Sequence, residues 1–211
     1  MDLGLIEYKK AWDLQREVFA QIKNRGSPST LILCRHYPVI TLGRPAKRNN
    51  ILIPQPELKN KGISVYEIER GGDVTYHGPG QLTAYPIFNL AHLKKDIHFY
   101  LRLLEETVID TLSSLGIYGN TSFGLTGVWV AARKIASIGI AIKNWITFHG
   151  VSINIKEADL ANFSLIRSCD MDIEMTSVES VIGREIAIEE VKQIFSDKLR
   201  RVLWSKCTCR H

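Results

Sequence analysis

Arg70-Gly71-Gly72-Asp73-Val74-Thr75-Tyr76-His77-Gly78-Pro79-Gly80-Gln81 packs four glycines and a proline into twelve residues, with Val74, Tyr76 and His77 among them. A flexible linker would use serine and polar filler. Glycine takes positive φ without penalty and lets main chain pass where a side chain would clash. The stretch therefore reads as a loop that presses backbone against a ligand, or as a tight turn between two strands. Arg70 and His77 bracket it with polar chemistry. Ile63, Val65 and Ile68 predict a strand entering the loop, and Leu82 to Leu90 a strand leaving it.

Working outward, residues 3–9 read as a short strand. Residues 11–24 read as a helix with Ala11, Leu14, Val18 and Ile22 on one side and Gly26 as a left-handed cap. Ser29 to Leu42 is rich in β-branched residues and reads as strand, with Pro38 marking an edge or a break. Residues 45–60 are polar with several prolines and read as loop. Asp96 is a natural N-cap for a helix over 97–115, in which Ile97, Leu101, Leu104, Val108, Leu112 and Leu115 recur at helical spacing before Gly116. The apolar runs 126–131, 134–142 and 146–155 predict adjacent antiparallel strands. Residues 158–182 read as irregular with one short helical turn. The final helix, 187–204, has Glu189 and Glu190 at its start and Lys198, Arg200 and Arg201 near its end, which suits the helix dipole.

Strands cluster centrally while helices lie early, between and late. This is an α+β pattern: helices packed on a mixed or antiparallel sheet. It lacks the strict βαβ alternation of a dinucleotide fold, and the glycine stretch lacks the Gly-Lys-Ser/Thr of a phosphate loop. The chain of 211 residues suits one domain, 1–211, and its 45% apolar share can build a substantial core. No run approaches the ~18 apolar residues of a membrane span. The start has no basic segment followed by a long apolar one, so a cytoplasmic location is expected. The cysteines at 34, 169, 207 and 209 are scattered, which argues against a disulfide framework. Net charge is +5, from 27 basic and 22 acidic residues, enough for attraction to an acidic partner or simply for solubility. Basic residues interleaved with aromatics, as nucleic-acid binding would want, are missing.

Cys34 sits inside an apolar strand and reads as core. Cys169, in Leu165-Ile166-Arg167-Ser168-Cys169-Asp170, has a polar, irregular setting where a thiol can be reached, and a nearby cation would favour its thiolate. Lys134 begins a small apolar strand. Pointing inward it would be poorly hydrated and able to exchange protons; pointing outward it would be a plain turn residue. His77 and His149 each precede a glycine and suit either acid-base work or a neutral hydrogen-bonding strut. No carboxylate or further histidine has metal-ligand spacing, and the tail Cys207-Thr208-Cys209-Arg210-His211 reads as a fraying terminus.

Taken together, these residues resemble the octanoyltransferases, the lipoyl(octanoyl) transferase family. The resemblance centres on Arg70 to Gln81. It continues through Thr126-Gly127-Val128-Trp129-Val130, Lys134-Ile135-Ala136-Ser137-Ile138-Gly139, His149-Gly150-Val151 with Asn154, and Cys169 with Thr176-Ser177-Val178. It implies a biotin/lipoate protein ligase-type catalytic domain. It also implies transfer of octanoyl, or lipoyl, from acyl carrier protein through a cysteine thioester to a lysine of a lipoyl domain. The recipients it implies are the lipoyl domains of 2-oxoacid dehydrogenases and the glycine cleavage H protein. It implies no cofactor, no metal, no membrane and a monomer.

The resemblance puts Cys169 on the nucleophile and Lys134 on its acid-base partner. Arg70, Gly71, Gly72, Asp73, Val74, Thr75, Tyr76, His77, Ser137, Ile138, Gly139, His149, Gly150 and Val151 fall on its substrate-binding segments. Backbone amides near the cysteine or near Gly78 are candidates for the oxyanion site, and the +5 charge would steer an acidic carrier protein. The chain departs from the family at Ala84, where glycine is common, and at Ser168 and Asp170, where proline and glycine flank the cysteine. Asp170 adds a negative charge that opposes thiolate formation. Three rival readings remain: an ATP-dependent lipoate or biotin ligase of the same fold, an amidotransferase moving octanoyl between lipoyl-type domains, and a non-enzymatic acyl-binding module.

Overall fold

A computed structural model of the chain describes residues 1–167 and 173–208, with side chains to residue 203. In chain order the strands are β1 (Asp2–Ile6), β2 (Thr30–His36), β3 (Val39–Leu42), β4 (Ser64–Glu67), β5 (Val74–His77), β6 (Gln81–Ile87), β7 (Gly127–Val130), β8 (Arg133–Lys143) and β9 (Ile146–Asn154). The helices are α1 (Tyr8–Arg25), α2 (Gln55–Asn60), α3 (Ile97–Ser113), α4 (Val178–Ile182) and α5 (Ile188–Thr208).

Six strands form one sheet in the order β1-β2-β6-β9-β8-β7, and three form a second in the order β4-β3-β5. β1 runs parallel to β2 and β4 parallel to β3, while the other pairs are antiparallel. The expected α+β class with a mixed sheet is what the molecule has. The β-branched run of residues 29–42 is cut at Pro38, as its lack of an N–H suggests. The structure adds that the two halves belong to different sheets.

The large sheet is covered on both faces. On one face lie α3 and α5, whose Leu104, Val108 and Leu112 and Val191, Phe195 and Leu199 recur every three to four residues and pack with Leu82, Ile135 and Ile153. Burial of each such side chain contributes roughly 1.5–3 kcal/mol. On the other face α1 lays Ala11, Val18 and Ile22 over Ile32, Tyr85, Ile87 and Phe148. Gly26, at φ 64°, closes α1, and the Asp96 carboxylate accepts from Phe99 N at 3.0 Å to start α3. α1 also touches the small sheet, where Tyr8 and Trp12 meet Val39 and Ile68.

Two expectations need correction. Residues 45–60 are not all loop: a 3-10 turn spans Arg48–Asn50 and α2 follows, because prolines at a helix start give up no hydrogen bond there. Residues 158–182 hold a 3-10 run, Glu157–Leu165, and α4, more than one short turn. Cys34 is buried in the core as read. The last three residues of the tail, Cys209 to His211, lie outside the described residues.

Candidate active site

Beyond one end of α1, the large sheet, the small sheet and the 157–166 segment enclose a cavity of about 590 Å³. Its floor comes from three neighbouring strands. Thr83 of β6 pairs with Ser152 of β9, which pairs with Ser137 of β8; two residues on, Gly150 pairs with Gly139. Side chains alternate along a strand. Leu82, Ala84, Val151 and Ile153 therefore turn to the helical core, while Thr83, Tyr85 and Ser152 are left to the cavity. Its other walls carry Leu52, Leu125, Leu160, Phe163, Ile166, Ile173 and Met175.

Most of the residues singled out from the sequence meet here. Lys134, Arg70, Gly72, Asp73, Val74, Thr75, His77, Ser137, Ile138, Gly139, His149, Gly150 and Val151 all line the cavity. Gly71 and Tyr76 do not. Gly71 N donates to Ile140 O at 2.8 Å, tying the glycine stretch to β8. Tyr76 points to the opposite face of β5, into a cluster with Ile40 and Ile166, and its hydroxyl accepts from Asn162 Nδ2 at 3.0 Å. Cys169 lies outside the described residues.

The glycine stretch divides into two jobs. Gly72, at φ 78°, brings main chain to the cavity as expected. Gly78 and Gly80 instead let the turn press on a carboxylate of the same chain: a Cβ at Gly78 would stand 2.4 Å from Asp159 Oδ2. Gly80 N donates to that oxygen at 2.6 Å. That turn is not part of the cavity lining, and the Gly80 amide is spent on the carboxylate.

Lys134 is held by main chain on both sides. It pairs with Trp129 of β7, and on its other edge Lys134 N donates to Glu174 O at 2.8 Å while Thr176 N donates to Lys134 O at 2.9 Å. Its ammonium lies 4.9 Å from the centre of the Trp129 ring. Gly127 makes room for it, because a Cβ there would stand 2.6 Å from Lys134 Cε. Lys134 is half-buried and lines the cavity. The chain on the other side of residues 168–172 is anchored nearby: Arg167 N donates to Asn50 O at 2.8 Å, and Ile166 lines the cavity.

Arg70 is buried, and its guanidinium braces the fold. It donates to Thr41 O at 2.7 Å, to Thr41 Oγ1 at 3.0 Å and to Gly71 O at 3.0 Å. His77 is a neutral strut. Burial pushes its pKa well below the usual histidine range, its ring stacks on Tyr8, and its Nδ1–H donates to Gln81 Oε1 at 3.3 Å. Gln81 then organises the floor: Oε1 accepts from Ser152 Oγ at 2.6 Å and Nε2 donates to Asn154 Oδ1 at 3.1 Å. Asn154 Nδ2 in turn donates to Thr176 O at 2.9 Å. His149 is buried at φ 59°, and burial lowers its pKa; its Nε2 lies 3.5 Å from Glu69 Oε2.

The sequence reading missed Tyr8, Thr83, Tyr85 and Ser152, which complete the floor, and His36 behind it. His36 Nδ1–H donates to Ile6 O at 3.1 Å, so Nε2 accepts from Tyr85 O–H at 2.7 Å; burial lowers its pKa to about 4. Period-two alternation places Thr83 and Tyr85 opposite the Leu82 and Ala84 face, a signal present in the sequence. Among the described residues no group of three or more His, Cys, Asp or Glu side chains is placed to hold a metal ion, and no helix is long and apolar enough to cross a membrane.

Comparison with known proteins bears on the family and the fold. The lipoyl protein ligase A/B catalytic domain family matches residues 7–200. An octanoyltransferase of Thermoanaerobacter sp. (strain X514) is 42% identical over 204 residues, covering 96% of this chain and 88% of that protein. Among solved structures, a lipoate-protein ligase A bound with ATP superposes with a TM-score of 0.73 at 15% identity, covering 97% of this chain and 86% of that one. A bi-partite lipoate protein ligase from Thermoplasma acidophilum, solved as part of a lipoylation system with its E2 lipoyl domain, gives 0.69 at 17% identity, covering 95% and 82%. At such identities these structures establish the fold alone. With the family model spanning nearly the whole chain, and a relative sharing two-fifths of its residues, the chain belongs to the lipoyl protein ligase A/B catalytic domain family.

Proposed function

We propose that this protein moves an octanoyl group from an acyl carrier protein to a lysine of a lipoyl domain, by way of a thioester on Cys169. Octanoyl transfer follows from relatives of that name matched over nearly the full chain. The thioester rests on one observation. Lys134 lines the cavity, the chain after residue 172 runs paired beside it, and the chain before residue 168 is tied to the same cavity. A five-residue span between those two anchors carries the thiol.

In this reading the Lys134 ammonium stabilises the Cys169 thiolate. The thiolate attacks the octanoyl thioester carbonyl, and the carbon–sulfur bond to the carrier breaks. Lys134 protonates the departing phosphopantetheine sulfur and becomes neutral. The incoming lysine amine then attacks the Cys169 thioester, gives its proton to Lys134, and expels the Cys169 thiolate as the amide forms. Thioester exchange is nearly isoenergetic and amide formation is downhill, so ATP has no part. The +5 charge favours encounter with an acidic carrier. The lipoyl domains of 2-oxoacid dehydrogenases and the glycine cleavage H protein are the intended acceptors, the working unit is a monomer, and the reaction runs in the cytoplasm.

The test is intact-mass spectrometry after incubation with octanoyl acyl carrier protein, followed by peptide mapping. One octanoyl mass on the peptide containing Cys169 is expected, lost in Cys169→Ser and formed more slowly in Lys134→Ala. Full acylation of Cys169→Ser refutes the assignment. Product formation that needs ATP and free octanoate, and ignores Cys169, supports the ligase alternative. Transfer from an acylated lipoyl domain but not from acylated carrier supports the amidotransferase.

A further inference from the structure

α3 buries Leu104, Val108 and Leu112 against the sheet, and beside them it buries a carboxylate. Glu105 is 2% exposed. Taking an ionised group out of water is costly unless its oxygens are matched, so the destination of its bonds shows what it is kept for. Oε2 accepts from Arg102 Nη1, one turn earlier on the same helix, whose side chain is mostly exposed. Oε1 leaves the helix. It accepts from the main-chain N–H of Gly127, 22 residues on and the first residue of β7, at 3.2 Å.

Gly127 is also the residue that Lys134 lies against. A Cβ there would stand 2.6 Å from Lys134 Cε and 3.3 Å from its Nζ. One glycine therefore separates the buried carboxylate from the ammonium. The strand ladder fixes this glycine incompletely. Gly127 pairs with Ser137, but the register between β7 and β8 shifts between Val128 and Trp129, and Trp129 is the partner of Lys134. The bond from α3 supplies a second anchor where the ladder is irregular. We infer that Glu105 is a positioning residue for Lys134: by holding the Gly127 amide it fixes the wall along which the lysine side chain lies, and with it the place of the ammonium. This rests on the acyl-transfer reading for what the ammonium does there. The device needs an acceptor at the reach of a glutamate side chain, and it does not need the negative charge.

Two variants separate reach from charge. Glu105→Gln keeps the acceptor and loses the charge; Glu105→Asp keeps the charge and is one methylene too short. The readout is the single-turnover rate of acyl-enzyme formation from octanoyl acyl carrier protein. Glu105→Gln stays within about threefold of wild type, and Glu105→Asp falls by about 10-fold to 100-fold at an unchanged half-saturating carrier concentration, the scale of moving a reacting group by up to about 1 Å. Glu105→Met, apolar and similar in length, matches Glu105→Asp and replaces it should that protein not fold. In a Lys134→Ala background the same substitutions change the remaining rate by less than about twofold, whereas a general loosening of the fold lowers both backgrounds alike. Rates of Glu105→Asp and Glu105→Met close to wild type, a Glu105→Gln rate as low as theirs, or an equal loss in the Lys134→Ala background overturns the inference. A second arm needs no transfer: limited acetylation with acetic anhydride, then peptide mapping, compares Lys134 with the other lysines. The share of label on Lys134 changes in Glu105→Asp and not in Glu105→Gln. That change, found together with wild-type acylation by Lys134→Ala, defeats the acyl-transfer role of Lys134 and leaves the positioning standing. Slow acylation by Lys134→Ala, with neither label nor rate responding at Glu105, does the reverse.

Discussion

Replacing Gly127 by alanine tests how Lys134 is positioned. Gly127 has φ 140°, a backbone region that L side chains rarely adopt, and a Cβ there would stand 2.6 Å from Ala136 O and 2.6 Å from Lys134 Cε. The φ alone costs of order 1–3 kcal/mol. The contact with a backbone oxygen adds to this, because β7 and β8 are paired at that point and cannot separate without losing ladder bonds. We expect about 3 kcal/mol of destabilisation, a fall in melting temperature of roughly 6–12 °C for a chain of this size. The contact with Lys134 pushes the ammonium out of place, and a misplacement of about 1 Å costs on the order of 100-fold in rate. Differential scanning fluorimetry gives the first effect and the single-turnover rate of acyl-enzyme formation gives the second. A Gly127→Ala protein that melts within about 1 °C of wild type and acylates at the wild-type rate would refute both halves of the reasoning. A large thermal loss with an unchanged rate would show that the Lys134 position is not the one used.

Acid should weaken the fold in a defined window. His36 has its pKa lowered from 6.5 to about 4, so between those values the unfolded chain binds more protons. Stability is full above pH ~6.5 and falls as pH drops towards ~4, by about 3 kcal/mol from this residue; urea melts of wild type and His36→Gln across that range should show a shallower fall in the variant. Asp159→Ala removes the acceptor of Gly80 N and should cost about 1–2 kcal/mol, read by denaturant midpoint at unchanged m-value. Gly150→Ala would set a Cβ 2.2 Å from Ala84 O between two central strands, and soluble expression should fail where that of Gly26→Ala does not. Phe123 is fully exposed in its turn, so Phe123→Ser should shift stability by no more than about 0.5 kcal/mol in a thermal melt.

Local signals carried much of the architecture. The helical spacing of 97–115 and the cap at Asp96 locate α3 to within two residues, and the three apolar runs after residue 126 are β7, β8 and β9 in order. Pro38 announced a break but not that the chain changes sheets there, because that choice depends on which distant strand captures Val39 to Leu42. The cavity was half legible. Lys134, the 70–77 stretch and the His149-Gly150 pair stand out as residues, and 137–139 and Val151 enter through the family resemblance, whereas Thr83 and Tyr85 look like ordinary strand residues until their strand is paired. The glycines at 78 and 80 misled for a physical reason. Close approach to a ligand and close approach to Asp159 ask the same thing of a residue, and only the fold tells them apart.

The tie from Gln81 through Asn154 to the carbonyl of Thr176 is made wholly of carboxamides. Neither member can gain or lose a proton, so the strut that steadies the lysine's flank is blind to acidity and to salt. Acid strong enough to protonate the buried histidines would therefore reach that strut only through His77, whose ring donates to Gln81 and which burial holds neutral well below the usual histidine range.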